Sequence, residues 1–475
     1  MNEVGEAELQ WGGRFASEPD RALLAFGSSL RDDLVVAPFD VRVSQAHVAA
    51  LAGGGVIAAA DAAAIDTALR TVADEVASGA FAPWALARDF EDVHGAIDAR
   101  VRELAGTAGD RLHSGRSRND QVATTMLLFA HGAAESAARA CLDTAALCAD
   151  RAAEELEHGT LFAATTHWQP AQPMLLAMWI DALARGFVRA ARRFARVASD
   201  ALRSMPLGSA ALAGSSLPLD RARAAEMLGF AAPSANALDA VGDRDVLLDL
   251  VDAFTRAAVT ASRPSEELVV WATPAFGYVR IDDAAATGSS LMPQKRNPDP
   301  FELVRASAGT LIGMAAGAHA TVKGVALSYH RDLQETKAHA IRAARVGSDA
   351  IDAFRRAFAH VHFVRDAMTR HATDGYTVAT DVADALIAAG STARAAHRAV
   401  GERVLLAEPA RRELGDADLQ HLGVQAPLTA VASVRAKRTA GSTHPDHVRA
   451  AIAATRADVA AMSEALAAAG KERES

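Results

Sequence analysis

Hydrophobic positions along this chain follow a helical period, in short runs at both ends and very long ones between them. From Thr124 to Leu156 no proline or turn cluster interrupts an alanine-rich 3.6-residue pattern, which predicts a helix of about 50 Å. A second run follows Pro173, read as a first-turn proline, and passes through Met174, Trp179, Phe187 and Phe194 towards Leu202. A third spans Asp245 to Trp271, a fourth runs from Phe301 past Val322, and a fifth from about Leu333 to Phe358. Helices of this length joined by loops predict a bundle with apolar stripes that other subunits must cover.

Before Leu112 and after Thr369 the runs shorten. Gly53 to Gly55, the Gly79 to Pro83 break, Gly106 and Gly109 punctuate the first part, and Gly375, Gly390, Gly401 and Pro409 the last. The predicted organisation is an N-terminal helical domain over 1–112, a central long-helix bundle carrying a catalytic loop over 113–366, and a small C-terminal helical domain over 367–475.

Composition supports a mainly α fold: half the residues are hydrophobic but only 5% are aromatic, which suits close-packed helices better than sheets. A formal net charge of -9 argues against general nucleic-acid binding and for a cytoplasmic protein. Cys141 and Cys148 lie seven apart on one expected helix, about 10 Å, too far for a disulfide. The acidic N-terminal stretch MNEVGEAELQWGG lacks the apolar core of a signal peptide. Val48 to Ile65 is broken by Gly53, Gly54, Gly55 and Asp61 and reads as helix, glycine turn, helix, not as a membrane span. His360 and His362, read as alternating on a helix, point to different faces and give no metal pair.

Four polar clusters fall where loops meet helices: EDVH at Glu91 to His94, SGRSRNDQ at Ser114 to Gln121, TTHWQPAQP at Thr165 to Pro173, and GSSLMPQKRNP at Gly288 to Pro298. The last joins hydroxyls, a lysine and an amide in a glycine-opened loop that Pro293 and Pro298 keep from becoming helix. The second gathers Arg116, Arg118 and Asn119 ahead of a helix start, where guanidinium forks and unpaired N–H groups suit a polycarboxylate. Helix capping and a nucleic-acid patch are its rivals. His167 has a side chain suited to proton transfer, and Glu302, in the first turn after Pro300, is placed to orient an imidazole or to cap its helix.

Together these segments resemble the fumarase/aspartase superfamily and, within it, the argininosuccinate lyase family, across nearly the whole chain. WGGRF at Trp11 to Phe15, SGRSRNDQ, THWQPAQP, NALDAVGDRD at Asn236 to Asp245, GSSLMPQKRNP and SYHRDLQETK at Ser328 to Lys337 occur in the family's order. The resemblance implies three helical domains, a twenty-helix core in a homotetramer, and active sites shared between subunits. It implies reversible anti elimination of argininosuccinate to arginine and fumarate, as in arginine biosynthesis, with no metal or organic cofactor and no nucleic-acid or membrane partner. Ser289 would be the general base, helped by Lys295 and Asn297. His167, supported by Glu302, would protonate the leaving nitrogen. Ser29, Asp33, Arg118, Asn119, Thr166, Tyr329, Gln334, Lys337 and Arg244 would bind substrate, Asp33 as counterion to a cationic amine. Thr165, Trp168, Gly242, His330 and Thr336 depart from the family's usual residues, the last two beside the groups expected to hold the amine half. A lyase for another N-substituted aspartate shares the same core chemistry. A non-catalytic structural protein on this scaffold, like an eye-lens crystallin, is opposed by the retained proton-transfer residues.

Overall fold

A computed structural model describes residues 20–474; WGGRF therefore lies outside the described residues. Near the N terminus, helices α1 (Ala37–Gly53), α2 (Ala59–Ser78) and α3 (Val93–Ala105) pack together. The centre is a bundle of five long helices: α4 (Arg118–His158), α5 (Leu176–Ala201), α7 (Asp245–Trp271), α8 (Asp299–Val322) and α9 (Gln334–Ala359), with the short α6 (Ala237–Gly242) before α7. The mainly α expectation holds, as does the glycine turn between α1 and α2.

α4 starts before Thr124. Ser117 and Asp120 form a capping box that turns SRNDQ into the helix's first turn: Asn119 N–H donates to Ser117 Oγ at 3.3 Å and Ser117 N–H to Asp120 Oδ1 at 3.1 Å. Alanines and both cysteines make up much of its buried face, letting α5 approach closely along its length. Burial pushes both thiols up to about 12, so Cys141 and Cys148 are inert, unpaired core residues. α7 continues through Pro264, which forfeits one helix hydrogen bond without ending it. Aromatic rings lock the bundle: Phe194 meets Phe254 at 4.7 Å and Phe187 meets Phe354 at 5.2 Å. Gly347 admits the first pair, because a Cβ there would sit 2.2 Å from Phe254 Cδ1.

Pro173 does not open a helix. It lies in strand β2 (Gln169–Leu175), paired antiparallel with β1 (Leu161–Thr166), and α5 begins three residues later. His360 and His362 correct the helical reading as well: His360 caps α9, and His362 sits in β4 (Val361–Phe363), paired with β3 (Val279–Ile281). From these two positions both imidazoles reach Asp282, at 3.4 and 2.8 Å. Among the described residues no cluster suits a metal ion, and no helix is long and apolar enough to cross a membrane.

Val382, Leu386, Ala396, Val400, Leu414 and Leu419 form a separate small core. The last helix, α10 (Pro445–Glu474), returns to the bundle, where Thr455 Oγ1 donates to Asp181 at 2.6 Å and Arg185 to the Ala451 carbonyl at 2.8 Å. α8 keeps Leu303 and Ile312 on its outer face, 67% and 52% exposed, beside Gly309 and Gly313, whose Cα atoms face open space.

Candidate active site

Helix direction sorts the sequence-derived residues into two groups. Ser289, Lys295, Asn297 and Glu302 precede or open α8, while Tyr329, Gln334 and Lys337 follow its far end. α8 has 24 residues, so roughly 36 Å separates the groups at 1.5 Å per residue. α4 divides the rest in the same way: Arg118 and Asn119 open it, while Thr166 and His167 follow its C terminus. α4 and α9 finish side by side, Arg151 donating to the carbonyls of Phe358 and Val361.

At the first end the binding candidates meet. Lys337 Nζ lies 2.7 Å from the buried Asp33 carboxylate and 3.2 Å from Ser29 Oγ, and Ser29 donates to Asp33 at 2.6 Å. Asp33 thus has an internal cationic partner where the sequence suggested a substrate amine. Gln334 Nε2 and Arg331 donate to the Gly27 carbonyl at 3.3 and 2.6 Å, and Arg331 also pairs with Glu91 at 2.6 Å. Asn119 Nδ2 donates to the Ala211 carbonyl at 3.0 Å. Arg244 is buried, and its Nη1 donates to the carbonyls of Val241 and Asp243 at 3.3 and 2.6 Å. Burial pushes the Tyr329 phenol up, against the pull of the Arg331 and Arg244 charges. Gly242 has a local reason: a Cβ there would meet the Ser328 carbonyl oxygen at 2.7 Å, so the backbone before Tyr329 packs directly on α6. Thr336 is buried and donates to the Leu333 carbonyl at 2.6 Å, facing its own turn.

Behind this end lies a buried polar core. Asp40 accepts from Gln121 Nε2 at 2.9 and 3.0 Å and from Thr125 Oγ1 at 3.0 Å, and lies 2.8 Å from His94 Nδ1. Burial alone would raise its pKa, but His94, Arg116 and Gln121 outweigh that and hold the carboxyl well below its usual range. Arg116 is part of this core, donating to Ser44 Oγ at 3.0 Å. Burial, with the charge of Arg116 next, pushes His47 well below 6.5, and the same two causes take His113 down to about 4. Both imidazoles are therefore neutral in the folded chain near pH 7. The unfolded chain takes up a proton at each as pH falls through 6.5, so their share of stability declines below that value, and that of His113 is gone by about 4. The melting temperature is expected to fall steadily from pH 7 to pH 5; a flat profile over that range contradicts this.

At the second end, Asn297 closes the serine loop. Its N–H donates to the Thr287 carbonyl at 2.8 Å and its Nδ2 to the Gly288 carbonyl at 3.3 Å. Ser289 Oγ accepts the backbone N–H groups of Leu291 and Met292 at 3.2 and 3.0 Å, two donors that favour negative charge on that oxygen. Lys295 is exposed on the same loop. His167 and Trp168 are themselves the hairpin turn between β1 and β2. Both have positive φ, 55° and 59°, in a two-residue turn that ordinarily selects Asn and Gly. Strained non-glycine residues of this kind concentrate at functional sites. Among the described residues, no hydrogen bond or ion pair joins His167 to Glu302.

Sequence reading left Asp92, His94, Gln121 and Arg331 without roles, although the first two stand in the EDVH cluster and Gln121 closes SGRSRNDQ.

Residues 13–313 match the family described as Lyase, and 376–437 the one described as Argininosuccinate lyase C-terminal. The chain is 38% identical to the argininosuccinate lyase of Thermus thermophilus over 452 residues, 93% of this chain and 97% of that one. Among solved structures, an EDDS lyase variant with bound fumarate aligns with a TM-score of 0.80 at 22% identity, covering 97% of this chain and 94% of that one. The class II fumarase of Schistosoma mansoni aligns at 0.71 and 16% identity, over 86% and 91%. The last two likenesses bear on the fold alone. Two family matches in series and a relative aligned almost end to end agree with the order of motifs along the helices: the chain belongs to the argininosuccinate lyase family of the fumarase/aspartase superfamily.

Proposed function

We infer that the chain cleaves argininosuccinate reversibly to arginine and fumarate, in active sites that combine the serine-loop end of one chain with the arginine end of another. The observation that carries this reading is the two backbone donors on Ser289 Oγ at one end of α8, with the Arg118 and Lys337 cations at the other.

The chemistry has two difficulties. A weakly acidic C–H beside a carboxylate must lose its proton, and the resulting aci-carboxylate must be stabilised until the C–N bond breaks. Ser289 takes the proton. The N–H groups of Leu291 and Met292 stabilise the charge on its oxygen, and Lys295 adds a cation from the same loop. Ser289 acts as its alkoxide and becomes a neutral hydroxyl as the proton arrives, so these donors serve by holding that oxygen ionised before the reaction. Asn297 holds the loop in shape and binds substrate with Thr166. His167 delivers a proton to the departing guanidino nitrogen, with Glu302 from a neighbouring chain as its support. Arg118, Asn119, Lys337, Gln334, Ser29, Tyr329 and Arg244 bind the substrate, and Asp33 fixes Lys337 in place. Leu303 and Ile312 on α8 belong to the surface where chains of a homotetramer meet. The carboxylate and proton-transfer groups in this scheme come from the chain itself, and the reaction needs no redox partner.

The amine half is tested by turnover. Purified protein is offered argininosuccinate and several other N-substituted aspartates, and fumarate is followed by its ultraviolet absorbance. Preference for argininosuccinate is expected; clear preference for another adduct reassigns the substrate.

A further inference from the structure

The EDVH cluster carries no role in the reaction as described, yet it touches the segments that carry Ser29, Arg118 and Arg331. The Glu91 carbonyl accepts the Ser29 N–H at 2.9 Å, and its carboxylate pairs with Arg331 at 2.6 Å. Asp92 is the N-cap of α3, with Oδ1 accepting the Gly95 N–H at 2.7 Å. Its other oxygen lies 3.1 Å from Arg118 Nε. Arg118 is held a second time, its Nη1 donating to Gln121 Oε1 at 2.8 Å. The Gln121 amide cannot turn over, because its Nε2 already donates to both oxygens of the buried Asp40. Asp40 in turn meets His94, two residues after Asp92.

We propose that Asp92 is a positioning residue for Arg118: with Gln121 it fixes the guanidinium in the orientation that receives a substrate carboxylate. Two grips on different nitrogens, each tied to a helix start or to a buried carboxylate, stop rotation of a side chain that otherwise has many rotamers. That order is in place before substrate arrives, so binding does not have to impose it. Asp92 is 8% exposed and Gln121 fully buried, so neither competes with substrate from the solvent side. The inference rests on the reading of Arg118 as a substrate-binding residue.

A double-mutant cycle on the assembled enzyme tests it. Asp92→Asn keeps the shape and a good N-cap acceptor while removing the charge, and Asp92→Ser keeps the cap with a smaller side chain. Each is expected to raise KM for argininosuccinate roughly tenfold with a smaller change in kcat, the pattern of lost uniform binding. In an Arg118→Ala background Asp92→Asn should add less than about twofold, since its effect passes through the missing guanidinium. Equal factors in the two backgrounds overturn the inference, because a purely structural role acts independently of Arg118. An unchanged KM in Asp92→Asn alongside a raised one in Arg118→Ala also overturns it while leaving the binding role of Arg118 intact. An unchanged KM in Arg118→Ala removes that binding role and the inference with it.

Discussion

Ser289→Ala is expected to lower kcat by about 100-fold to 10,000-fold, the range that a positioned general base supplies. Alanine cannot accept a proton, and it abolishes the oxygen on which the Leu291 and Met292 N–H groups converge. The fold should be untouched. Ser289 is half-buried in a loop whose closure depends on Asn297 and Thr287, and it forms no part of the bundle core. Circular dichroism and thermal melting should therefore match the parent while turnover collapses. A folded alanine variant with near-parental turnover would reassign the base.

The bundle was legible because its signal is local. α7 runs from Asp245 to Trp271 as its apolar period indicates, since a helix repeats its pattern within itself and Pro264 costs only one hydrogen bond. α4 was read too short for a physical reason. Ser117 and Asp120 satisfy the first N–H groups of the helix, so polar residues that look like loop chemistry are its opening turn. The β1–β2 hairpin was hidden. Its turn residues are His167 and Trp168 in place of the glycine and asparagine that normally announce such a turn, and Pro170 and Pro173 fall inside β2.

The candidate residues stand out in the sequence as motifs but not as an arrangement. SGRSRNDQ and GSSLMPQKRNP stand out by composition, whereas the Asp92 contact with Arg118 and the Asp40 contacts with His94, Gln121 and Thr125 join residues far apart in the chain. No periodicity encodes such pairs. Nor does periodicity reveal that Asp33 faces Lys337, some three hundred positions away, a contact that gives a supposed amine counterion a cationic partner inside the chain. The separation of the two groups by the length of α8 became visible only when helix directions were known.

That separation yields the second large effect. Ser289→Ala chains are deficient only at the serine-loop end, and Arg118→Ala chains only at the arginine end, so each variant alone should be strongly impaired. If a working site takes its serine loop from one chain and its arginine from another, a mixture contains sites built from the sound half of each. Random association of equal amounts gives about a quarter of sites with both residues intact, one half multiplied by one half, in a closed oligomer. The decisive measurement is fumarate release by the two variants co-expressed or refolded together, set against each alone. Recovery to about a quarter of parental activity is the predicted result. A mixture no more active than the sum of its two components would contradict a site divided between chains.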